Sequence, residues 1–124
     1  MATSIATTAW VDPRAQIDED VEIGPFSVIG PHVSIGRGTR LVSGVTLMGH
    51  VEIGRDNVLY PNSVIGGEPQ DISYSGSPTK VILGDHNIVR EGVTINRATE
   101  KEDGITRIGD HNFLMANAHV AHDC

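Results

Sequence analysis

Aromatic side chains are scarce in this sequence: one Trp, two Tyr and two Phe make up 4% of 124 residues, so any core has to be assembled from aliphatic side chains instead of clustered rings. A single cysteine, Cys124, excludes an internal disulfide and fits a reducing compartment. No apolar run approaches the ~20 residues of a membrane-spanning helix, so stable membrane insertion is not expected. Basic residues are also few. Nine Lys and Arg stand against sixteen Asp and Glu, for a formal net charge of -7. The basic residues do not cluster, which argues against nucleic acid, whose binding needs a basic stripe. The opening MATSIATTAW lacks the basic and apolar regions of a secretory signal, so a cytoplasmic location is expected.

What the sequence does have is a strict six-residue beat. From Val11 an aliphatic residue recurs at Ile17, Ile23, Ile29, Ile35, Leu41, Leu47, Ile53, Leu59 and Ile65, and Ile5 extends the row backwards. Six is neither a helical nor a heptad period, and it matches the hexapeptide β-helix. Four residues after each aliphatic stand Ala15, Val21, Ser27, Val33, Thr39, Val45, Val51, Asn57 and Ser63. These are mostly small or β-branched, as a second inward position requires, so each hexad should bury two side chains. Gly24, Gly30, Gly36, Gly54 and Gly66 follow the aliphatic, and Pro13, Pro25, Pro31 and Pro61 come next, which reads as a turn set by φ freedom and φ restriction. Each inward Ile, Leu or Val contributes roughly 1.5–3 kcal/mol when buried, enough to stack a long, thin core.

Two interruptions break the beat. After Gly66 comes the polar EPQDISYSGSPTK; Leu83, Val89 and Ile95 then keep time until ATEKEDG intervenes before Ile108, Leu114 and Val120. The phase across both can be set from asparagine. IGRDN, LGDHN and IGDHN place Asn57, Asn87 and Asn112 at the same inward position, where buried amides are best satisfied by stacking along the axis. Ile53, Leu83 and Ile108 then form one edge of a prism, Leu59, Val89 and Leu114 a second, and Ile65, Ile95 and Val120 a third. The expected fold is all-β, a parallel β-helix of about six coils forming one domain over residues 1–124. Both loops should leave from one corner, which on the next coil carries Ala121, His122 and Asp123.

Loops that converge on a rigid scaffold are where sites are built. His119 and His122 fall outside the inward positions and so are not core histidines. An imidazole beside a carboxylate, as in His122-Asp123, can be oriented and kept basic near neutral pH, which suits a general base. Cys124 falls on a small inward position and reads as a packed thiol, not a nucleophile. His32, His50, His86 and His111 lie in turns and read as surface residues. A zinc site on the histidines is the rival chemistry, although HxxH alone is weak evidence for it.

The stretches IGPFSVIGPHVSIGRGT, GHVEIGRDNVLYPNSVIG, GEPQDISYSGSPTKV and GDHNIVREGVTINRAT, and above all HNFLMANAHVAHDC, resemble the N-terminal part of the bacterial UDP-N-acetylglucosamine O-acyltransferases. These are acyl-carrier-protein-dependent enzymes that open lipid A synthesis. The resemblance implies a left-handed parallel β-helix, an exception to the right-handed crossover rule, and a homotrimer with sites between subunits. It implies transfer of a (3-hydroxy)acyl chain from acyl carrier protein to the sugar 3-hydroxyl of UDP-N-acetylglucosamine, without a cofactor or a metal. His122 would be the general base and Asp123 its orienter. Asp71, beside Gln70 in the first loop, would contact the glucosamine from a neighbouring subunit, and His119 matches a further active-site histidine.

Two departures bear on substrate fit. Ser73 stands where the family often has a lysine, and TINRAT replaces TIHRGT, which puts Asn96 and Ala98 at the histidine and small positions beside Arg97. Asn96 still offers hydrogen bonds to a sugar or phosphate, and the resemblance implies that Asn96 and Arg97, with Gln70, Asp71 and His119, are substrate-binding residues. The family continues past the position of Cys124 with further coils and a C-terminal helical domain that docks the carrier protein, so the resemblance covers an N-terminal portion that is expected to be inactive alone. The competing readings are an acyltransferase on a related nucleotide sugar, a zinc carbonic anhydrase, and a non-catalytic hexapeptide scaffold.

Overall fold

The structure, a computed structural model, describes residues 3–68, 79–99, 103–121 and 123. Short strands run along the chain with almost no other element. The first coil is β1 (Ser4–Ile5), β2 (Trp10–Val11) and β3 (Gln16–Ile17); the second is β4 (Glu22–Ile23), β5 (Val28–Ile29) and β6 (Val33–Ile35). β7 (Arg40–Leu41), β8 (Thr46–Leu47) and β9 (His50–Ile53) make the third, and β10 (Val58–Leu59), β11 (Val64–Gly67) and β12 (Lys80–Leu83) the fourth. β13 (Ile88–Val89), β14 (Thr94–Asn96) and β15 (Ile105–Ile108) complete the fifth, and β16 (Phe113–Leu114) and β17 (His119–Val120) give two sides of a sixth. Every third strand joins the same sheet, so the strands form three parallel sheets: β1-β4-β7-β10-β13-β16, β2-β5-β8-β11-β14-β17, and β3-β6-β9-β12-β15.

The register confirms the phase expected across both interruptions. Ile53, Leu83 and Ile108 align on the third sheet, Leu59, Val89 and Leu114 on the first, and Ile65, Ile95 and Val120 on the second. Along the middle coils every aliphatic of the beat, from Ile23 to Ile95, is buried, while Val11 and Ile17 at one end and Ile108, Leu114 and Val120 at the other are only partly covered. The core is therefore a column of Ile, Leu and Val closed by coil above and coil below, as a one-dimensional stack requires.

The asparagines form the expected ladder. Asn57 Oδ1 accepts the Asn87 backbone N–H at 2.8 Å, and Asn87 Oδ1 accepts that of Asn112 at 2.8 Å. Their amides donate to the carbonyls of Gly84 and Gly109, each at 2.8 Å. Thr39 extends the ladder downward in the same pattern, accepting from Asn57 N–H and donating to the Gly54 carbonyl. The ladder thus satisfies backbone groups at a corner where the strands have turned away from their ladder partners.

Of Gly24, Gly30, Gly36, Gly54 and Gly66, only Gly66 has the positive φ expected from the sequence. The left-handed residue of the turn is the third after the aliphatic, at Asp20, Phe26, Asp56, Asn62, His86, His111, Asn117 and Asp123, with φ between 55° and 66°, and at Gly38, Gly44 and Gly92, with φ between 58° and 77°. Asn, Asp and His tolerate that region better than other side chains, which explains most of this column. Gly24 has no positive φ and is needed for another reason: a Cβ there would stand 1.7 Å from the Val42 carbonyl oxygen of the next coil. At Gly30 the nearest atom would be 3.5 Å away. Gly24→Ala is therefore expected to destabilise the chain by about 1–3 kcal/mol through forced separation of two coils. Gly30→Ala should cost less than about 0.5 kcal/mol. Urea denaturation of both variants checks the difference, and equal midpoints would remove close approach as the cause.

Candidate functional site

Both interruptions bridge the same two sheets. The first lies between β11 and β12 and the second between β14 and β15, each passing from the second sheet to the third. β17 ends directly above β14, with His119 paired to Thr94 and Val120 to Ile95, so the turn that follows it sits at the same corner one coil up. This is the convergence expected from the asparagine alignment. Gln70 and Asp71 in the first loop, His122 and Cys124 lie outside the described residues; Ala121 and Asp123 flank the His122 position at this corner.

The stems of both loops are held by the coil above. Where the first loop leaves, Gly66 is an extra residue in the register between Ile65 and Gly67, with φ 91° and a space that any Cβ would close against the Met48 carbonyl at 2.0 Å. A bulge of this kind bends the strand and turns the chain outward. The buried Asn96 donates its amide to the Glu68 carbonyl at 2.7 Å, and its neighbour Arg97 donates from Nη1 to the Gly66 carbonyl at 2.7 Å and from its backbone N–H to Gly67 at 2.8 Å. Arg97 also lies across Gly49, where a Cβ would stand 2.6 Å from its Nη1. Asn96, which stands at a departure from the family pattern, and its neighbour Arg97 thus grip the outgoing stem of the first loop.

Asp123 does the same for the second. Its carboxylate accepts the Thr99 backbone N–H at 3.2 and 3.1 Å and the Thr99 hydroxyl at 2.7 Å, while its own N–H donates to Thr106 Oγ1 at 2.9 Å. Thr99 and Thr106 are both fully buried. Sequence reasoning passed over them, although the signal was present: Thr99 stands four residues after Ile95, at the second inward position of its hexad. On the loop's returning side, Arg107 pairs with Asp103 and holds its carboxyl below the ordinary carboxylate range, chiefly through their side-chain hydrogen bond.

His119 faces outward from β17, exposed, with Nδ1 2.8 Å from Thr94 Oγ1. Below the first loop the same corner continues as an open polar cleft of about 490 Å3 lined by Arg14, Gln16, His32, Ser34, His50 and Glu52. Its charges are largely internally paired: Arg14 to the buried Asp12, which the guanidinium holds below its ordinary pKa, and Lys80 to Glu52 at 3.0 Å. His32 and His50 are surface residues as expected, yet they belong to this corner, whereas His86 and His111 stack at 5.0 Å on another. Among the described residues no group of three or more His, Cys, Asp or Glu is placed to hold a metal ion.

Comparison with known proteins agrees with this architecture. Residues 5–101 match the family described as GMPPB C-terminal domain. The acyl-[acyl-carrier-protein]--UDP-N-acetylglucosamine O-acyltransferase of Thermodesulfovibrio yellowstonii is 52% identical over 120 residues, covering 97% of this chain and 46% of the relative. Among solved structures, LpxA of Acinetobacter baumannii superimposes with a TM-score of 0.95 at 43% identity, over 97% of this chain and 46% of that one. The UDP-N-acetylglucosamine O-acyltransferase (LpxA) of Moraxella catarrhalis gives 0.93 at 45% identity, over 97% and 47%. The fold is the left-handed parallel β-helix of these proteins, and the chain spans about half the length of the relatives it matches. The chain therefore belongs to the family described as GMPPB C-terminal domain, and it resembles the UDP-N-acetylglucosamine O-acyltransferases over nearly its whole length, as an N-terminal portion of such an enzyme would.

Proposed function

We propose that this chain is the N-terminal portion of an acyltransferase that moves a (3-hydroxy)acyl group from acyl carrier protein to the 3-hydroxyl of UDP-N-acetylglucosamine, the first step of lipid A synthesis. The observation that carries the proposal is 52% identity, over 97% of the chain, to a relative bearing that name. The geometry supports it, because the one corner with gripped loop stems is also the corner of the His119 to Asp123 segment. In this reading His122 takes the proton from the sugar hydroxyl while the oxygen attacks the thioester carbonyl. The C–O bond forms, the C–S bond breaks, and the carrier thiolate leaves with the proton held by the imidazolium. Asp123 orients His122, and Gln70, Asp71, His119, Asn96 and Arg97 contact or frame the nucleotide sugar. No cofactor takes part.

The reading includes a cytoplasmic homotrimer with its sites between subunits. Among the described residues no helix is long and apolar enough to cross a membrane. An uncharged outer ladder on the second sheet, Trp10, Val28, Thr46, Val64, Thr94 and His119, is suited to face a partner copy, with Trp10 55% and Val28 43% exposed on this chain. Charged residues are depleted at the cores of such contacts. Further coils and a helical domain complete the acyl pocket and dock the carrier protein, since a chain of net charge -7 is a poor surface for an acidic protein.

The test is the chain extended to the length of its relatives, mixed with acyl carrier protein thioesters and UDP-N-acetylglucosamine and followed by mass spectrometry. Acylated nucleotide sugar is the expected product. Acylation of a different nucleotide sugar in its place would move the reading to the related enzyme. Stoichiometric zinc with carbon dioxide hydration, or no turnover of any thioester, would overturn it.

A further inference from the structure

We propose that Thr99 and Thr106 are positioning residues for the transfer reaction, acting through Asp123. The inference rests on the acyltransferase reading and deepens it. Asp123 ties three stretches of chain together at the loop corner. Its carboxylate is held by the backbone N–H and hydroxyl of Thr99, which precede the second loop, and its backbone N–H is held by the hydroxyl of Thr106, in β15 after that loop. Both threonines are fully buried, so water does not replace either contact if it is lost.

Asp123 has φ 62°, the ordinary left-handed position of the turn, as at Asp20, Asp56 and Asn117. Its peptide N–H is the one that follows His122. Thr106 and Thr99 hold the N–H and the carboxylate of residue 123, next in sequence to the proposed base. The Thr99 donors address both oxygens of that carboxylate.

This differs from a purely packing role for the threonines. Thr39 stands at an equivalent inward position and donates to a backbone carbonyl, Gly54, as a structural hydroxyl does. Thr99 instead donates to an ionisable side chain next to the candidate base.

The experiment uses the enzyme with its full set of coils and compares wild type, Thr99→Val, Thr99→Ser, Thr106→Val and His122→Ala. The expected result for Thr99→Val is a fall in kcat of about 10–100-fold, the effect of losing one hydrogen bond to a charged group. KM for UDP-N-acetylglucosamine should stay close to wild type, the acid limb of the pH profile of kcat/KM should shift, and Thr99→Ser should restore both rate and profile. If Thr99→Val does not fold, Thr106→Val carries the test, with the same expected shift in profile. An unaltered profile and rate in Thr99→Val, or in Thr106→Val where it stands in, overturns the proposal. So does a Thr99→Ser variant as impaired as Thr99→Val, since the lost methyl would then be the cause. His122→Ala separates the two layers: full activity there removes the proposed base whatever the threonines do, whereas an inactive His122→Ala beside an unaffected Thr99→Val removes only the positioning role.

Discussion

Alanine in place of Asn57 is expected to lower the stability of the chain by about 2–5 kcal/mol, a large part of the 5–15 kcal/mol typical of a domain. Asn57 is fully buried, and its two side-chain atoms serve two different backbone groups of the coil above. Truncation orphans the Asn87 N–H and the Gly84 carbonyl together, each at the cost of an unpaired buried polar group, about 1–3 kcal/mol. It also leaves a small void in a core where coil packs on coil. Asn112 supplies the control. It is exposed on the last coil, and its amide donates to the nearby Asp110 carbonyl at 3.3 Å, so its truncation should cost under about 1 kcal/mol. Urea midpoints for the two variants measure the difference. Equal losses at Asn57 and Asn112 would show that the ladder contributes no more than a surface amide.

The prism was legible because its period is short and its phase is carried by a chemically distinct residue. Aliphatic side chains alone could not have joined the segments across residues 68–80 and 98–104, since one Ile is like another. A buried amide has to meet a matching group, and the three asparagines therefore fixed which edge resumes after each loop, as the pairing of Leu83 with Ile53 and with Ile108 shows. The role of the glycines was less legible. Whether Gly24 serves φ or close approach depends on the distance to Val42 in the next coil, 18 residues away, and that distance is set by how the coils stack rather than by the turn itself.

The site divides the same way. That the loops and the His119 to Asp123 segment share a corner follows from counting hexads. What the residues hold there does not. Asn96 and Arg97 read as substrate contacts from sequence, and in the structure their amide and guanidinium meet the carbonyls of Glu68 and Gly66. These partners depend on the bulge at Gly66, which shifts the register by one residue as the first loop departs and which no six-residue pattern announces. Asn96, in place of a histidine, thus holds the outgoing stem of the first loop.

Under the proposed acyltransferase function, the largest kinetic effect expected is that of His122→Ala in the enzyme with its full set of coils, a fall in kcat/KM of about 10²–10⁴-fold, or roughly 3–5 kcal/mol of transition-state stabilisation. A sugar hydroxyl is far too weak an acid to ionise at neutral pH, so its proton has to move as the oxygen reaches the thioester carbonyl. An imidazole, titrating near the working pH, is the side chain suited to take it. The other acceptor, the Asp123 carboxylate, is already addressed by the Thr99 N–H and hydroxyl. Asp123→Ala should act on the same step at smaller cost, because it removes the proposed orienter and its Thr99 contacts while leaving the proposed base in the chain. His119→Ala should raise KM more than it lowers kcat, as expected for a group that binds substrate and transition state alike. The pH dependence of kcat/KM gives the decisive reading: an ionisation in the histidine range in wild type that disappears in His122→Ala identifies the base, and a profile with that ionisation intact in His122→Ala assigns it to another group.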